Sequence, residues 1–384
     1  MRHISCEKVF FCGCFFAIVF IIFNLSVKSK GKTEYLREDQ LKFILEWTSP
    51  MKEPFLFLGI GQEGFKRRRC NYTNCYITSD RFLLRDMREF DVVLFHGPEI
   101  NRKRSKLLDI RSPRQKFVYA SKESSHYYPI CSNKLENYFN WTWTYRLDSD
   151  ARWGYILVKD RNGTVIGPNK IMHWLKLEEM EPVDLMFKEK LKSKKKAAAW
   201  FVSNCKDLSG RKKFGEALKR QLKKYNLDLD IYGACGSMSC SRDEEKECDS
   251  EIDEIYYFYL AFENSFSEDY VTEKLLHALK NNAVPVVYGG ANYSRFMPEG
   301  IYLNARDLGV KKLAAKMNEL IQDPDKYAEY FRWKNHYSFH SRDEYDSAHN
   351  EYCEFCALLN DEARMSEVTT ISKFKEWWNK PDFC

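Results

Sequence analysis

The stretch FYLAFENSFSEDYVTEKLLHALKNNAVPVVYGG, Phe258 to Gly290, runs from an apolar segment through a polar loop into an amphipathic one, and ends on a second apolar segment closed by two glycines. Short apolar runs bounded by turn residues read as buried strands, and Val271, Leu275, Leu276 and Leu279 recur at the spacing of one helix face. The pattern predicts a strand over 255–262, a helix over 271–280 and a strand over 284–288, a unit of the kind that builds parallel sheets. Tyr270, Glu273 and Lys274 fall together at the helix start, away from the apolar stripe. A helix N-terminus at the carboxyl end of a strand offers N–H groups and a positive dipole to a pyrophosphate. Lys274 adds a mobile cation there, and Glu273 can accept hydrogen bonds from sugar hydroxyls. On spacing alone, the commoner fate of first-turn charges stays ahead: Glu273 improves the helix start and Lys274 is solvated.

Working outward, strands are predicted over 198–202 and 229–232, with a helix over 212–225 between them and a Cys-rich acidic insertion before the quoted stretch. Nearer the N-terminus, Phe55-Leu-Phe-Leu-Gly-Ile, Asp91-Val-Val-Leu-Phe-His and Lys116-Phe-Val-Tyr-Ala read as further buried strands separated by longer connections. Strands alternating with helices predict an α/β protein of two Rossmann-like, doubly wound lobes facing a cleft, with ligands at the carboxyl ends of the strands. The charge run Phe187 to Lys196 (FKEKLKSKKK) reads as a solvated linker and not as a nucleic-acid patch. It divides an N-terminal lobe (50–186) from a second lobe (197–350), followed by a C-terminal segment (351–384). Gly59-Ile-Gly-Gln-Glu-Gly64 fits a dinucleotide-binding pattern, but Phe-Lys-Arg-Arg-Arg-Cys follows it where a helical stripe is needed, so that reading is set aside.

The chain has 384 residues, 44% hydrophobic and 30% charged, which suits two ordinary domains and excludes a disordered chain. Val9 to Val27 carries no charge and approaches the roughly 20 residues that a helix needs to cross a bilayer. It reads as a signal anchor between a short tail (1–8) and a polar stem (28–49), with a cleaved signal peptide as the competing reading. Arg2 and Lys8 on one side and Lys28, Lys30 and Lys32 on the other lean slightly against a luminal C-terminus. Two features favour the lumen. Asn71, Asn140, Asn162 and Asn292 each open a glycosylation sequon. Of 13 cysteines, those beyond the anchor are even in number, which suits disulfides of the secretory pathway. The close pairs Cys70/Cys75, Cys235/Cys240 and Cys353/Cys356 are the expected candidates; zinc or redox chemistry at Cys353-Glu-Phe-Cys356 is disfavoured.

The residues Phe262 to Gly290 resemble the signature of the α1,3-fucosyltransferases. Val202-Ser-Asn-Cys205 with Ser209-Gly-Arg211, Asp230 to Gly236, and Phe139 to Asp150 resemble further blocks of that family, and Gly289 to Asn304 looks most like its invertebrate glycoprotein 3-α-L-fucosyltransferases. The resemblance extends from about Phe55 to Cys356. It implies a GT-B fold, GDP-fucose as donor held by the C-terminal lobe, and inverting transfer to a GlcNAc hydroxyl of glycoprotein N-glycans. The setting it implies is a type II protein of the Golgi membrane, with nucleic acid not a partner. Carried over by position, Asn264, Tyr270, Glu273 and Lys274 match donor-contacting residues, and Arg211 matches the arginine that meets the diphosphate. Glu123, in Lys122-Glu123-Ser-Ser-His126, matches the catalytic base.

Ser125 stands where proline is usual, so a looser loop is expected. His126 reads as a packing or hydrogen-bonding residue. Asp148-Ser-Asp150 has the form of a cation site but lies outside the donor signature. The expectation is no required metal, with Mn²⁺ stimulatory at most. Trp141, Trp143, Trp153, Trp174, Trp377 and Trp378 are expected in cores and not as sugar platforms. The alternatives are a peptide O-fucosyltransferase and a non-catalytic luminal sugar-binding protein of the same fold.

Overall fold

A strand buried on both faces must present apolar side chains to both, and its neighbours must cover each face. The computed structural model shows this twice; it describes residues 41–48, 54–55, 58–100, 107–240, 245–342 and 350–384. The expected anchor Val9 to Val27 lies outside the described residues, and among these no helix is long and apolar enough to cross a membrane.

The first sheet joins β1 (Lys42–Glu46), β2 (Cys75–Thr78), β3 (Val92–His96), β4 (Lys116–Ser121), β5 (Trp141–Thr144) and β6 (Ala151–Arg152). Their order is β2-β1-β3-β4-β5-β6, with every pairing parallel. The C-terminal segment covers both of its faces. Tyr352 and Phe355 of the helix Glu351–Leu359 pack with Ile44, Leu94 and Trp143. Phe374 and Trp378 of the helix Phe374–Trp378 pack on the opposite face with Leu45, Phe95 and Tyr119.

In the second sheet, β9 (Lys196–Phe201), β10 (Leu229–Tyr232), β11 (Tyr256–Phe262), β12 (Val284–Tyr288) and β13 (Leu303–Asn304) run parallel in the order β10-β9-β11-β12-β13. Ala199, Tyr259 and Val287 face the helix Glu273–Lys280. Ala198, Trp200, Phe258 and Val286 face the helices Arg211–Leu222 and Ala305–Gln322. A small antiparallel sheet of β7 (Ile156–Asp160), β8 (Val165–Gly167) and β14 (Tyr337–Ser341) completes the sheets.

Several expectations are corrected. Lys42–Glu46, placed in the stem, forms an interior strand, because Ile44 and Leu45 fill opposite faces of the first sheet. Phe55 and Leu58 are buried, yet they sit in turns and not in the expected strand. The charge run read as a linker overlaps the helix Leu185–Lys192, which starts two residues before it and is capped by the Asp184 carboxylate on Phe187 N (2.7 Å), and Lys196 already belongs to β9.

The cysteine pairing differs as well. The bonds are Cys70–Cys353, Cys75–Cys356, Cys131–Cys384, Cys205–Cys235 and Cys240–Cys248. Cys353 and Cys356 lie three residues apart on one helix, hence on the same face, where Cys356 meets Cys75 of β2 and Cys353 meets Cys70 in the loop before that strand, and not each other.

Candidate active site

Every residue of β4 is buried, so the strand delivers its carboxyl end, Lys122 to His126, at a fixed place. β11 does the same for Glu263 to Tyr270. The two ends meet. Tyr270 Oη stands 3.5 Å from Glu123 Oε2. Burial, foremost, with the neighbouring Tyr155 and Glu123, pushes the Tyr270 phenol well above its ordinary pKa, so it stays an O–H donor toward the carboxylate.

Lys274 opens onto the same place. Its Nζ lies 2.7 Å from Thr272 Oγ1, 3.0 Å from Glu273 Oε1 and 3.2 Å from Glu263 Oε2. Burial works against its charge, but the carboxylates of Glu263 and Glu273 outweigh burial and hold the ammonium protonated. Glu263, 1% exposed, accepts from Thr272 N at 2.9 Å and from Thr272 Oγ1 at 3.0 Å. Part of the helix start expected to be open to a pyrophosphate is therefore already capped by a carboxylate. Burial raises the Glu263 carboxyl above its usual range, opposed by Lys274. Glu273 is the more exposed of the two carboxylates, with 55% of its side chain accessible against 2% for Glu263, and is the one available to a ligand.

Arg211 begins the helix Arg211–Leu222, its own N–H taken by Asp207 at 2.9 Å. The guanidinium is buried, donating to Phe262 O at 2.7 Å and Asn204 O at 3.0 Å, while its Nε has no hydrogen-bond partner among the described residues. Burial pulls its pKa down, opposed by Glu263 and Asp207, so an approaching anion would stabilise it. Asn264 ties two loops together: its backbone oxygen accepts from Leu208 N (2.9 Å) and Ser209 N (3.1 Å), and its Oδ1 from Ser265 Oγ (3.0 Å). Thus Glu123, Arg211, Asn264, Tyr270, Glu273 and Lys274 gather around the carboxyl ends of β4 and β11.

The loop with Ser125 is not loose. Ser125 is 1% exposed, its N–H donates to Tyr145 Oη at 3.1 Å, and its hydroxyl meets Ser267 Oγ at 3.1 Å. His126 accepts from Phe266 N through Nδ1 at 3.2 Å and stacks on Phe383 with ring centroids 3.9 Å apart, in keeping with a packing role. Asp148 is engaged by Arg146 (2.9 Å) and Lys170 (3.4 Å), whereas Asp150 accepts from Thr142 N (2.8 Å) and pairs with Arg364, so the two carboxylates turn to different partners. Trp141, Trp143, Trp153 and Trp378 are core residues, while Trp174 and Trp377 are partly buried. Asn71, Asn162 and Asn292 are exposed. Asn140 is built into the fold: Nδ2 donates to Thr369 O at 2.8 Å and Oδ1 accepts from Phe117 N at 2.9 Å.

Glu263, Tyr145 and Ser267 were absent from the sequence-derived set. Glu263 had a signal, as the first carboxylate after a seven-residue apolar strand and before a first-turn lysine.

Two family models match: "Fucosyltransferase, N-terminal" over residues 39–156 and "Glycosyltransferase family 10 (fucosyltransferase) C-term" over residues 191–377. Alpha-(1,3)-fucosyltransferase C of Drosophila melanogaster is 36% identical over 314 residues, which is 80% of this chain and 70% of the relative. Glycoprotein 3-alpha-L-fucosyltransferase A of the same organism is 29% identical over 334 residues, 84% of this chain and 58% of the relative's own length. The crystal structure of an alpha1,3-fucosyltransferase superposes with a TM-score of 0.50 at 14% identity, over 86% of this chain and 93% of that one, a likeness of fold. The chain belongs to the fucosyltransferases of glycosyltransferase family 10.

Proposed function

We propose that the protein transfers L-fucose from GDP-fucose to a GlcNAc hydroxyl of glycoprotein N-glycans in α1,3 linkage, with inversion. The observation that carries the reading is the meeting of Glu123 with Tyr270 at 3.5 Å, beside the cations Lys274 and Arg211, where the carboxyl ends of β4 and β11 converge. In this mechanism Glu123 takes the acceptor hydroxyl proton as that oxygen attacks the anomeric carbon of fucose from the face opposite GDP. The bond to the β-phosphate breaks and GDP leaves with added negative charge, which Arg211 and Lys274 stabilise. Tyr270 orients Glu123, Glu273 accepts hydrogen bonds from fucose hydroxyls, and Asn264 holds the loop around them.

Direct displacement requires no covalent enzyme intermediate and, with two cations beside the leaving group, no metal. The engagement of Asp148 and Asp150 with separate partners supports the second point. Two Rossmann-like lobes of GT-B type would place the acceptor on the first-sheet side and the donor on the second. Five disulfides and three exposed sequons among the described residues support a luminal catalytic part, anchored in the Golgi membrane by Val9 to Val27 as a type II protein.

The test uses detergent-solubilised full-length protein with GDP-fucose or GDP-mannose and a panel of N-glycans bearing core and antennal GlcNAc. Products are read by mass spectrometry and linkage-specific fucosidases. A fucose increment removed by an α1,3-specific fucosidase, and lost in Glu123→Gln, is the expected result. Fucose appearing on peptide hydroxyls, or no transfer while GDP-fucose still binds, would replace this reading with a peptide acceptor or a sugar-binding role.

A further inference from the structure

Immediately after Glu123, the segment Ser124-Ser125-His126 lies edge to edge with Ser265-Phe266-Ser267, a contact that no catalytic step above employs. Ser265 Oγ and Ser124 Oγ lie 2.6 Å apart, within hydrogen-bond distance. Ser267 Oγ lies 3.1 Å from Ser125 Oγ and accepts from His126 N at 3.1 Å. All four serines are essentially inaccessible to solvent. Gly290 presses on them from behind: a Cβ there would stand 2.7 Å from Ser267 N, so only glycine lets β12 exit so closely.

The contact closes a circuit. Ser125 N donates to Tyr145 Oη at 3.1 Å; the Tyr145 ring packs edge-on against Tyr270 with centroids 5.0 Å apart; and Tyr270 reaches Glu123. Tyr270 follows Ser267 by three residues on the same loop.

We propose that Ser125 and Ser267 are positioning residues that set the register between the base loop and the donor loop, holding the Glu123 carboxylate where the acceptor hydroxyl must be deprotonated. The inference rests on the reading of Glu123 as base. A buried hydroxyl pair is satisfied in few geometries; withdrawing Ser267 leaves the Ser125 hydroxyl and His126 N without that acceptor at a cost, and withdrawing the Ser125 hydroxyl leaves Ser267 Oγ with His126 N alone, so the pair specifies one alignment of the two strand ends. Proline at position 125 would restrain φ, but it has no N–H for Tyr145 and no hydroxyl for Ser267. Serine exchanges a restraint inside one loop for two hydrogen bonds, one of which crosses to the donor side.

Full-length wild-type protein, Ser125→Ala, Ser267→Ala, the double variant and Glu123→Gln are compared for kcat, KM of both substrates, GDP affinity by calorimetry, and melting temperature. Each serine variant is expected to lose roughly tenfold or more in kcat, the scale of a misplaced reacting group, with GDP affinity and acceptor KM within about twofold. The double variant should be no slower than the slower single one, because both act through one bond. Ser267→Ala removes that bond from the other side, so a Ser125→Ala that fails to fold does not end the test. Unchanged kcat in Ser267→Ala beside an inactive Glu123→Gln overturns the inference and leaves the base standing. GDP affinity falling in step with kcat also overturns it, since the contact would then serve only the donor fold. An active Glu123→Gln removes the base reading itself.

Discussion

Cutting the Cys131–Cys384 bond, as Cys131→Ser/Cys384→Ser, should loosen the chain by an amount that its other bridges set. The two cysteines are 253 residues apart, which alone would give a loop-closure contribution of about 5.5 kcal/mol. The unfolded chain is already shortened by Cys75–Cys356, so the loop that closes runs about 56 residues from Cys75 to Cys131 and about 28 from Cys356 to Cys384. A loop of roughly 84 residues corresponds to about 15 cal/mol/K, or about 4.5 kcal/mol at 25 °C. At an m-value of about 3 kcal/mol/M the urea midpoint should fall by about 1.5 M.

The folded tail keeps other ties: Trp378 Nε1 donates to Tyr128 O at 2.9 Å, Asn379 Nδ2 to Ile130 O at 2.8 Å, and Phe383 stacks on His126. GDP binding in native buffer should therefore survive. Urea unfolding followed by tryptophan fluorescence, with a peptide map confirming that the other bridges remain, gives the number. A loss below about 1 kcal/mol would refute the loop argument.

Glu123→Gln should slow transfer by roughly 10²- to 10⁴-fold while GDP affinity measured by calorimetry stays near wild type. Lys274→Ala should weaken GDP binding by about 10- to 100-fold, the worth of a charge-assisted hydrogen bond, and normal affinity would remove its assigned role. Glu268 sits among Lys170, Arg146 and Arg295; burial alone would raise its carboxyl, but these cations outweigh burial and bring it down to about 2. Its folded pKa is depressed, so its contribution is fully present above the unfolded value and is lost as pH falls from about 4.5 through about 2. After solvent screening this is on the order of 1 kcal/mol, and Glu268→Gln should flatten that part of the urea-midpoint profile. Enzymatic deglycosylation in oxygen-18 water with peptide mass spectrometry should find glycans at Asn71, Asn162 and Asn292 and none at Asn140, whose amide is already bonded on both sides.

Where information was local, the sequence was readable. The apolar stripe of Val271, Leu275, Leu276 and Leu279 and the all-apolar β12 specify their own conformations by periodicity, and both occur nearly as expected. β1 was missed because KFILE is short and carries a charge at each end, while the nearby Phe55 run is more apolar and ends in turns. The Leu185–Lys192 helix was hidden in a charge run because its buried contacts come from few residues, Leu191 and Phe187 among them.

Residue types and local spacing by themselves determined the alternating α/β elements of this protein and placed Tyr270, Glu273 and Lys274 together at one helix start, because each of these is written within one or two turns of chain; the donor role expected of those residues came from the resemblance and not from spacing. Only the tertiary structure decided which surfaces meet: Cys353 and Cys356 reaching residues 283 and 281 positions away, and Ser125 meeting Ser267. The capping of Thr272 and Lys274 by a buried Glu263 belongs to the same class. Those pairings depend on how two sheets and the C-terminal helices pack, and packing brings together residues whose separation along the chain carries no periodic signal.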